Sequence, residues 1–120
     1  PDRPRRHALV CVDISSSGLF SDQPDLLVRL RQGTYKTRAL GSVAIHMRDV
    51  ALGAADGYLG GRTSITPLHD LAPGALLVRE AGGLVTDANG TDAMVERRIL
   101  VAGSPQVHAW MCQLVTGSRT

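Results

Sequence analysis

A chain of 120 residues is one domain's worth, long enough to bury roughly two thirds of its unfolded surface without disulfide or metal staples. Its 43% of hydrophobic residues excludes a disordered chain, and a net charge of +2 is too small to imply a nucleic-acid partner. Aromatic residues make up only 3%, so the core has to be aliphatic.

The basic excess comes largely from Arg3, Arg5 and Arg6, in a lead-in over residues 1–6 that reads as a solvated tail. No signal peptide and no membrane-spanning apolar stretch is visible, so the expectation is a cytoplasmic protein with no membrane partner. Cys11 and Cys112 belong to no Cys-x-x-Cys or Cys/His cluster in sequence and read as two buried, reduced thiols.

From His7 to Val12 the chain is almost continuously apolar, the mark of a strand covered on both faces. Asp13 to Gly18 is a polar loop beyond the carboxyl end of that strand, where open α/β sheets gather ligands. Ser21 or Asp22 can cap a helix with Pro24 in its first turn, and Leu26, Leu27, Leu30 and Phe20 give it an apolar side before Gly33 stops it. Thr34 to Ala39 is a short strand candidate. Leu40-Gly41-Ser42 then opens a second helix reaching about Leu52, with Ser42 as N-cap and Val43, Met47 and Val50, flanked by Ala44 and Ala51, as its inner stripe. His46 on this helix reads as partly buried or at the surface. Asp56-Gly57 is a turn signal leading into a strand at Tyr58-Leu59, followed by a polar loop over residues 60–66.

Pro67 to Gly83 is the stretch on which the rest depends. Pro73 fits the first turn of a helix, where a missing N–H costs nothing. Leu71, Ala75 and Val78, with Ala72, Leu76 and Ala81 beside them, recur at helical spacing, and Gly82 or Gly83 can end the helix in the left-handed conformation. Asp70 then stands at the amino end, where unpaired N–H groups and the helix dipole favour negative charge. It reads either as a cap or as a carboxylate offering oxygens to a hard cation, and position alone favours the cap. Strands follow at Leu84 to Asp87 and Arg98 to Ala102, separated by an Ala88-Asn89-Gly90 turn. Ser104-Pro105 begins a last helix with Val107, Trp110, Met111 and Leu114 inward, and residues 118–120 form a tail. The alternation predicts a layered α/β domain over residues 7–117 with a mixed sheet and flanking helices.

Four stretches in this order and spacing carry a resemblance: Arg38-Ala39-Leu40-Gly41-Ser42-Val43-Ala44, Val50 to Tyr58, His69-Asp70-Leu71-Ala72, and Arg79-Glu80-Ala81-Gly82-Gly83. Together they are similar to the C-terminal half of the inositol monophosphatase family. The resemblance implies the C-terminal portion of that sugar-phosphatase fold. It also implies a magnesium-dependent phosphomonoesterase, in which carboxylates hold Mg2+ ions that activate a water and bind phosphate oxygens. Asp70 matches a metal-ligand aspartate, and Gly41, Ser42 and Val43 match a segment that contacts substrate. A glycine-led helix start, with N–H groups to offer, suits that role. Arg38 matches a basic residue before this segment, substrate-contacting or structural. His69 stands where the family has tryptophan, beside the pocket, and Gly60 where inositol phosphatases often carry a ring-contacting glutamate. Partners so implied are a small phosphorylated substrate, a second copy in a homodimer, and a missing N-terminal half.

That half carries the family's Asp-Pro-x-Asp-Gly-Thr motif, and no Asp-Pro-x-Asp-Gly stretch occurs here. One aspartate cannot build a two-metal site, so this chain alone is expected to be inactive. The expected function is the C-terminal part of a phosphatase for a small monoester such as inositol monophosphate. A sugar bisphosphate, histidinol phosphate or nucleotide 3′-phosphate is the alternative substrate, and an inactive association domain the alternative role.

Overall fold

The computed structural model describes residues 3–14, 19–60, 68–91 and 99–117. A short 3-10 turn at Arg5–His7 leads into β1 (Leu9–Val12), α1 (Leu19–Asp22) and α2 (Pro24–Gly33). Then come β2 (Lys36–Arg38), α3 (Val43–Ala51), β3 (Gly57–Gly60) and α4 (Leu68–Glu80). β4 (Leu84–Thr86), β5 (Leu100–Gly103) and α5 (Pro105–Thr116) complete the described elements. The strands form one sheet in the order β2-β1-β3-β5-β4. β1 pairs in parallel with both β2 and β3, while β5 runs antiparallel to β3 and β4. This is the mixed, layered α/β architecture that the alternating pattern predicts.

Period-two alternation divides the core between the two sheet faces. Cys11, Tyr58, Leu100 and Ala102 point to one side and pack with Met47 and Val50 of α3 and Ala75 and Val78 of α4. Val10, Val12, Leu59 and Val101 point to the other, against Phe20, Leu26 and Leu30 and against Val107 and Met111 of α5. Both faces are covered, which is why the strands read as continuous apolar runs rather than alternating ones.

Several expectations are corrected. The segment before Pro24 does not merely cap α2. Leu19–Asp22 winds into its own short helix, burying Leu19 and Phe20, and Gln23 stands at the α2 N-cap without a side-chain bond. Pro73 lies inside α4, sixth from its start, because the helix begins at Leu68. The inward stripe of α4 is narrower than its periodicity suggests: Ala75 and Val78 are buried, whereas Ala72, Leu76 and Ala81 are exposed. Gly82, at φ +89°, is the left-handed residue that ends this helix. Asp56 is more than a turn residue. It is 4% exposed, and its carboxylate accepts the Leu9 N–H at 2.9 Å and Arg3 Nη1 at 3.1 Å, tying the lead-in to the start of β1.

The two cysteines are free, as expected, and Cys11 is buried while Cys112 is half-buried. Burial pushes the Cys11 thiol up to about 11, so it stays protonated. Cys112 does have a histidine neighbour that its sequence environment did not reveal. Its Sγ lies 3.8 Å from His108 Nε2, one helical turn back on α5. Thr86 Oγ1 donates to the Asp87 carbonyl at 2.7 Å and sits 2.7 Å from the same nitrogen. Having spent its proton, the threonine leaves His108 Nε2 as the donor.

Candidate functional site

β1, β2 and β3 are parallel, so their carboxyl ends, at Val12, Arg38 and Gly60, lie on one side of the sheet. Ligands in open α/β sheets collect beyond such ends. Here the chain places the start of α3. Gly41 takes φ +79°, a left-handed conformation open to glycine at little cost, and turns the backbone from β2 into the helix. A Cβ there would touch nothing within 4 Å, so conformation rather than space demands the glycine. Ser42 caps the helix as expected: its side chain accepts the Ile45 N–H at 3.3 Å, and its carbonyl accepts the His46 N–H at 3.1 Å. The N–H groups of Val43 and Ala44, in the first turn, have no acceptor within the helix.

Gly41, Ser42 and Val43 line a cavity of about 50 Å³ together with Asp13, His46 and Tyr58. The three residues that sequence singled out as substrate-contacting are therefore brought together, and three others join them. Asp13 arrives from the end of β1, where its own N–H is held by the Leu59 carbonyl at 3.3 Å. His46 is 1% exposed rather than partly buried, and its ring stacks on Tyr58 with centroids 5.4 Å apart. Its Nε2 accepts the Leu40 N–H at 3.1 Å. Burial lowers the His46 pKa below its ordinary value, partly offset by the Asp49 and Asp13 charges, with Arg38 acting in the same direction as burial. Arg38, exposed at the end of β2, thus reaches this site through its charge. Burial, reinforced by Asp13, raises the Tyr58 hydroxyl above its ordinary value, so it stays protonated.

Gly60 has a packing reason that the sequence could not show. It stands two residues along β3 from Tyr58, on the same side, and a Cβ there would run into the Tyr58 ring and hydroxyl. The aromatic ring takes the space that a side chain at position 60 would need.

The side chains of His69 and Asp70 lie outside the described residues, but the backbone of α4 places their turn. Gly74 packs against Met47, where an added Cβ would come within 2.7 Å of the Met47 Cβ. The carboxyl ends of the two helices meet at a groove of about 400 Å³, lined among others by Val50, Leu52, Gly53, Val78, Gly82 and Gly83. α3 and α4 therefore run side by side in one direction. The turn at Leu68–Asp70 comes at the same end as the Gly41–Val43 turn, and two helix dipoles aim their positive ends toward one region. The wider groove, by contrast, faces the carboxyl ends of both helices, a poor environment for an anion. Among the described residues no group of three or more His, Cys, Asp or Glu side chains could hold a metal ion.

The carboxyl ends of three parallel strands and two aligned helix starts, one of them glycine-led, thus face one region of an α/β domain, the region where open sheets of this class gather ligands. The profile of the inositol monophosphatase family matches residues 3–119, and the chain belongs to that family. It is 41% identical over 70 residues to the Nus factor SuhB of Pasteurella multocida, covering 58% of this chain and 25% of that protein. It is 44% identical over 61 residues to a fructose-1,6-bisphosphatase/inositol-1-monophosphatase of Thermococcus kodakarensis, covering 51% of this chain and 23% of that one. In fold it is similar to the crystal structure of the extragenic suppressor protein suhB from Bartonella henselae. The TM-score is 0.86 at 22% identity, over 99% of this chain and 46% of the other. The chain thus spans about a quarter of those two relatives and just under half of that solved structure.

Proposed function

We propose that this chain is the C-terminal part of a magnesium-dependent phosphatase acting on a small phosphate monoester such as inositol monophosphate. In this reading Asp70 supplies one metal-ligand carboxylate, and Gly41, Ser42 and Val43, with Arg38 and His69 nearby, form one wall of the substrate pocket. The observation that carries it is the alignment of α3 and α4, which puts the turn bearing Asp70 at the same end as the glycine-led turn. Divalent cations, when bound, would offset charge on the phosphoryl oxygens. Among the described residues no carboxylate cluster could hold them, so in this reading the remaining ligands belong to the half of the fold that the chain does not span. The chain by itself is inactive in this reading, and the intact protein is a cytoplasmic homodimer.

The substrate need not be an inositol phosphate. The backbone at Gly60 offers no side chain to a sugar ring, and Tyr58 fills the space beside it. A sugar bisphosphate, histidinol phosphate or nucleotide 3′-phosphate fits the same pocket wall, and a panel of these esters distinguishes them. The direct test is hydrolysis by the intact protein with magnesium, with and without Asp70→Asn. The expected result is a loss on the order of 100-fold or more in turnover, the scale of losing one cation ligand. Undiminished turnover in the variant removes Asp70 from the chemistry, and an intact protein without activity or magnesium binding leaves an association domain.

A further inference from the structure

His46 is the one residue of the cavity with a buried polar atom that has no partner among the described residues, its Nδ1. The other ring nitrogen fixes the chemistry of this one. Nε2 accepts a backbone N–H from Leu40, so Nε2 carries no proton. A neutral imidazole has one proton to place, and it must then stand on Nδ1 as a donor. Buried donors are nearly always paired in folded proteins, and His46 lines the cavity, so an acceptor bound there would satisfy this one. The ring cannot turn away to find one, because Tyr58 stacks on its face and the Leu40 bond fixes its rotation.

The rest of the lining narrows the acceptor. Asp13 brings a carboxylate to the same cavity, which repels a second anion and accepts a proton from a neutral hydroxyl. A hydroxyl oxygen can take the proton of Nδ1 while its own proton goes to Asp13, satisfying both groups at once. About 50 Å³ is the space of a few waters, enough for a hydroxyl on its carbon and too small for a ring. Around the imidazole, burial and the Arg38 charge favour a neutral ring and the Asp49 and Asp13 charges oppose them, with burial the largest effect. Asp49 lies on the same helix, Asp13 at the end of β1, Arg38 at the end of β2 and Tyr58 on β3.

We propose that His46, locked as the Nδ1–H tautomer by Leu40, is a positioning and specificity residue that pins the turn before Gly41 and, with Asp13, reads a neutral hydroxyl of the bound molecule. This rests on the pocket assignment above but not on hydrolysis, and its test needs no turnover. Two-bond 1H–15N spectra of the histidine-labelled protein near pH 7.5 are expected to show Nδ1 protonated and Nε2 bare. The opposite tautomer, or a charged ring, overturns the proposal. Titration with sorbitol, as an unphosphorylated polyol, is expected to move the Nδ1 proton, while inorganic phosphate alone leaves it in place. A response to phosphate instead, or to neither probe, overturns the hydroxyl reading. His46→Gln keeps an acceptor and a donor and is expected to bind sorbitol within about threefold of the parent, whereas His46→Leu loses about tenfold, the scale of one hydrogen bond. Should the leucine variant not fold, Asp13→Asn tests the same pair from its other side, with a similar loss expected and unchanged binding counting against it. Failure of the Asp70→Asn experiment would leave these results standing, so the two readings fail separately.

Discussion

Asp56 illustrates how a residue's role can be hidden by its neighbour in sequence. Asp56-Gly57 reads as a turn, yet the carboxylate is buried where it accepts the first N–H of β1. Asp56→Ala leaves that N–H without a partner, and the expected cost is about 1–3 kcal/mol of unfolding free energy by chemical denaturation. Arg3, the other partner, is half exposed, so Arg3→Ala is expected to cost less than about 1 kcal/mol. If the two variants were equally harmful, the ion pair rather than the backbone bond would be what holds the lead-in. The buried histidines set a pH dependence. Burial lowers the pKa of both His46 and His108 below 6.5. Below that value the unfolded chain binds protons that the folded chain refuses. Their contribution is therefore complete above pH 6.5 and is lost as pH falls from 6.5 through the lowered folded values. Denaturation midpoints are expected to drop across that interval, with a shallower drop in a His46→Gln, His108→Gln double variant.

At the scale of elements, the pairing of α3 with α4 decides where the site lies. Gly74 makes the close approach possible, since a Cβ there would sit 2.7 Å from the Met47 Cβ. Gly74→Ala gains about 1 kcal/mol in helix propensity but overpacks this contact, at a cost of about 1–3 kcal/mol. A net loss of stability in thermal unfolding is the expected outcome, and a net gain would mean that the helices have room to separate. Just before it, Pro73 denies the carbonyl of residue 69 its helical donor, which a proline so near the helix start does at less cost than one deeper in. Periodicity alone does not locate Pro73, because a proline marks a helix start in sequence whereas α4 begins five residues earlier, at Leu68. The apolar stripe of α4 is narrower than its periodicity suggests for a related reason. Leu76 fits the helical period, but the sheet faces Ala75 and Val78 instead.

At the scale of the whole molecule, two cores on opposite faces of one sheet give a radius of gyration of 12.5 Å, at or below the ~13.6 Å expected for a compact domain of this length. Even so, Ile45 and Leu52 around α3 and Leu76 and Leu77 on α4 remain between 41% and 73% exposed. So much aliphatic surface on two adjacent helices favours burial against something else. The chain alone is expected to associate in a concentration-dependent way in sedimentation experiments. A Leu76→Lys, Leu77→Lys double variant is expected to associate less, and equal association would move the contact elsewhere.

The sequence by itself determined the alternation of strands and helices apart from the short α1, the cap at Gly41-Ser42, a stop at Gly82 or Gly83 and the family, because each depends on residues close together along the chain or on motifs at set spacing. It also brought forward Gly41, Ser42 and Val43, three neighbours that the fold indeed sets around one cavity. Asp13 stands in the loop where such sheets gather ligands, but its meeting with His46 and Tyr58 is not legible in the sequence. They come from the end of β1, from α3 and from β3, and no local signal records that parallel pairing of the strands and stacking of the rings bring them to one cavity. Whether a polar residue is a surface ornament or a buried, half-satisfied donor is settled by what packs over it. For His46 that is a tyrosine twelve positions on and a backbone N–H six positions back.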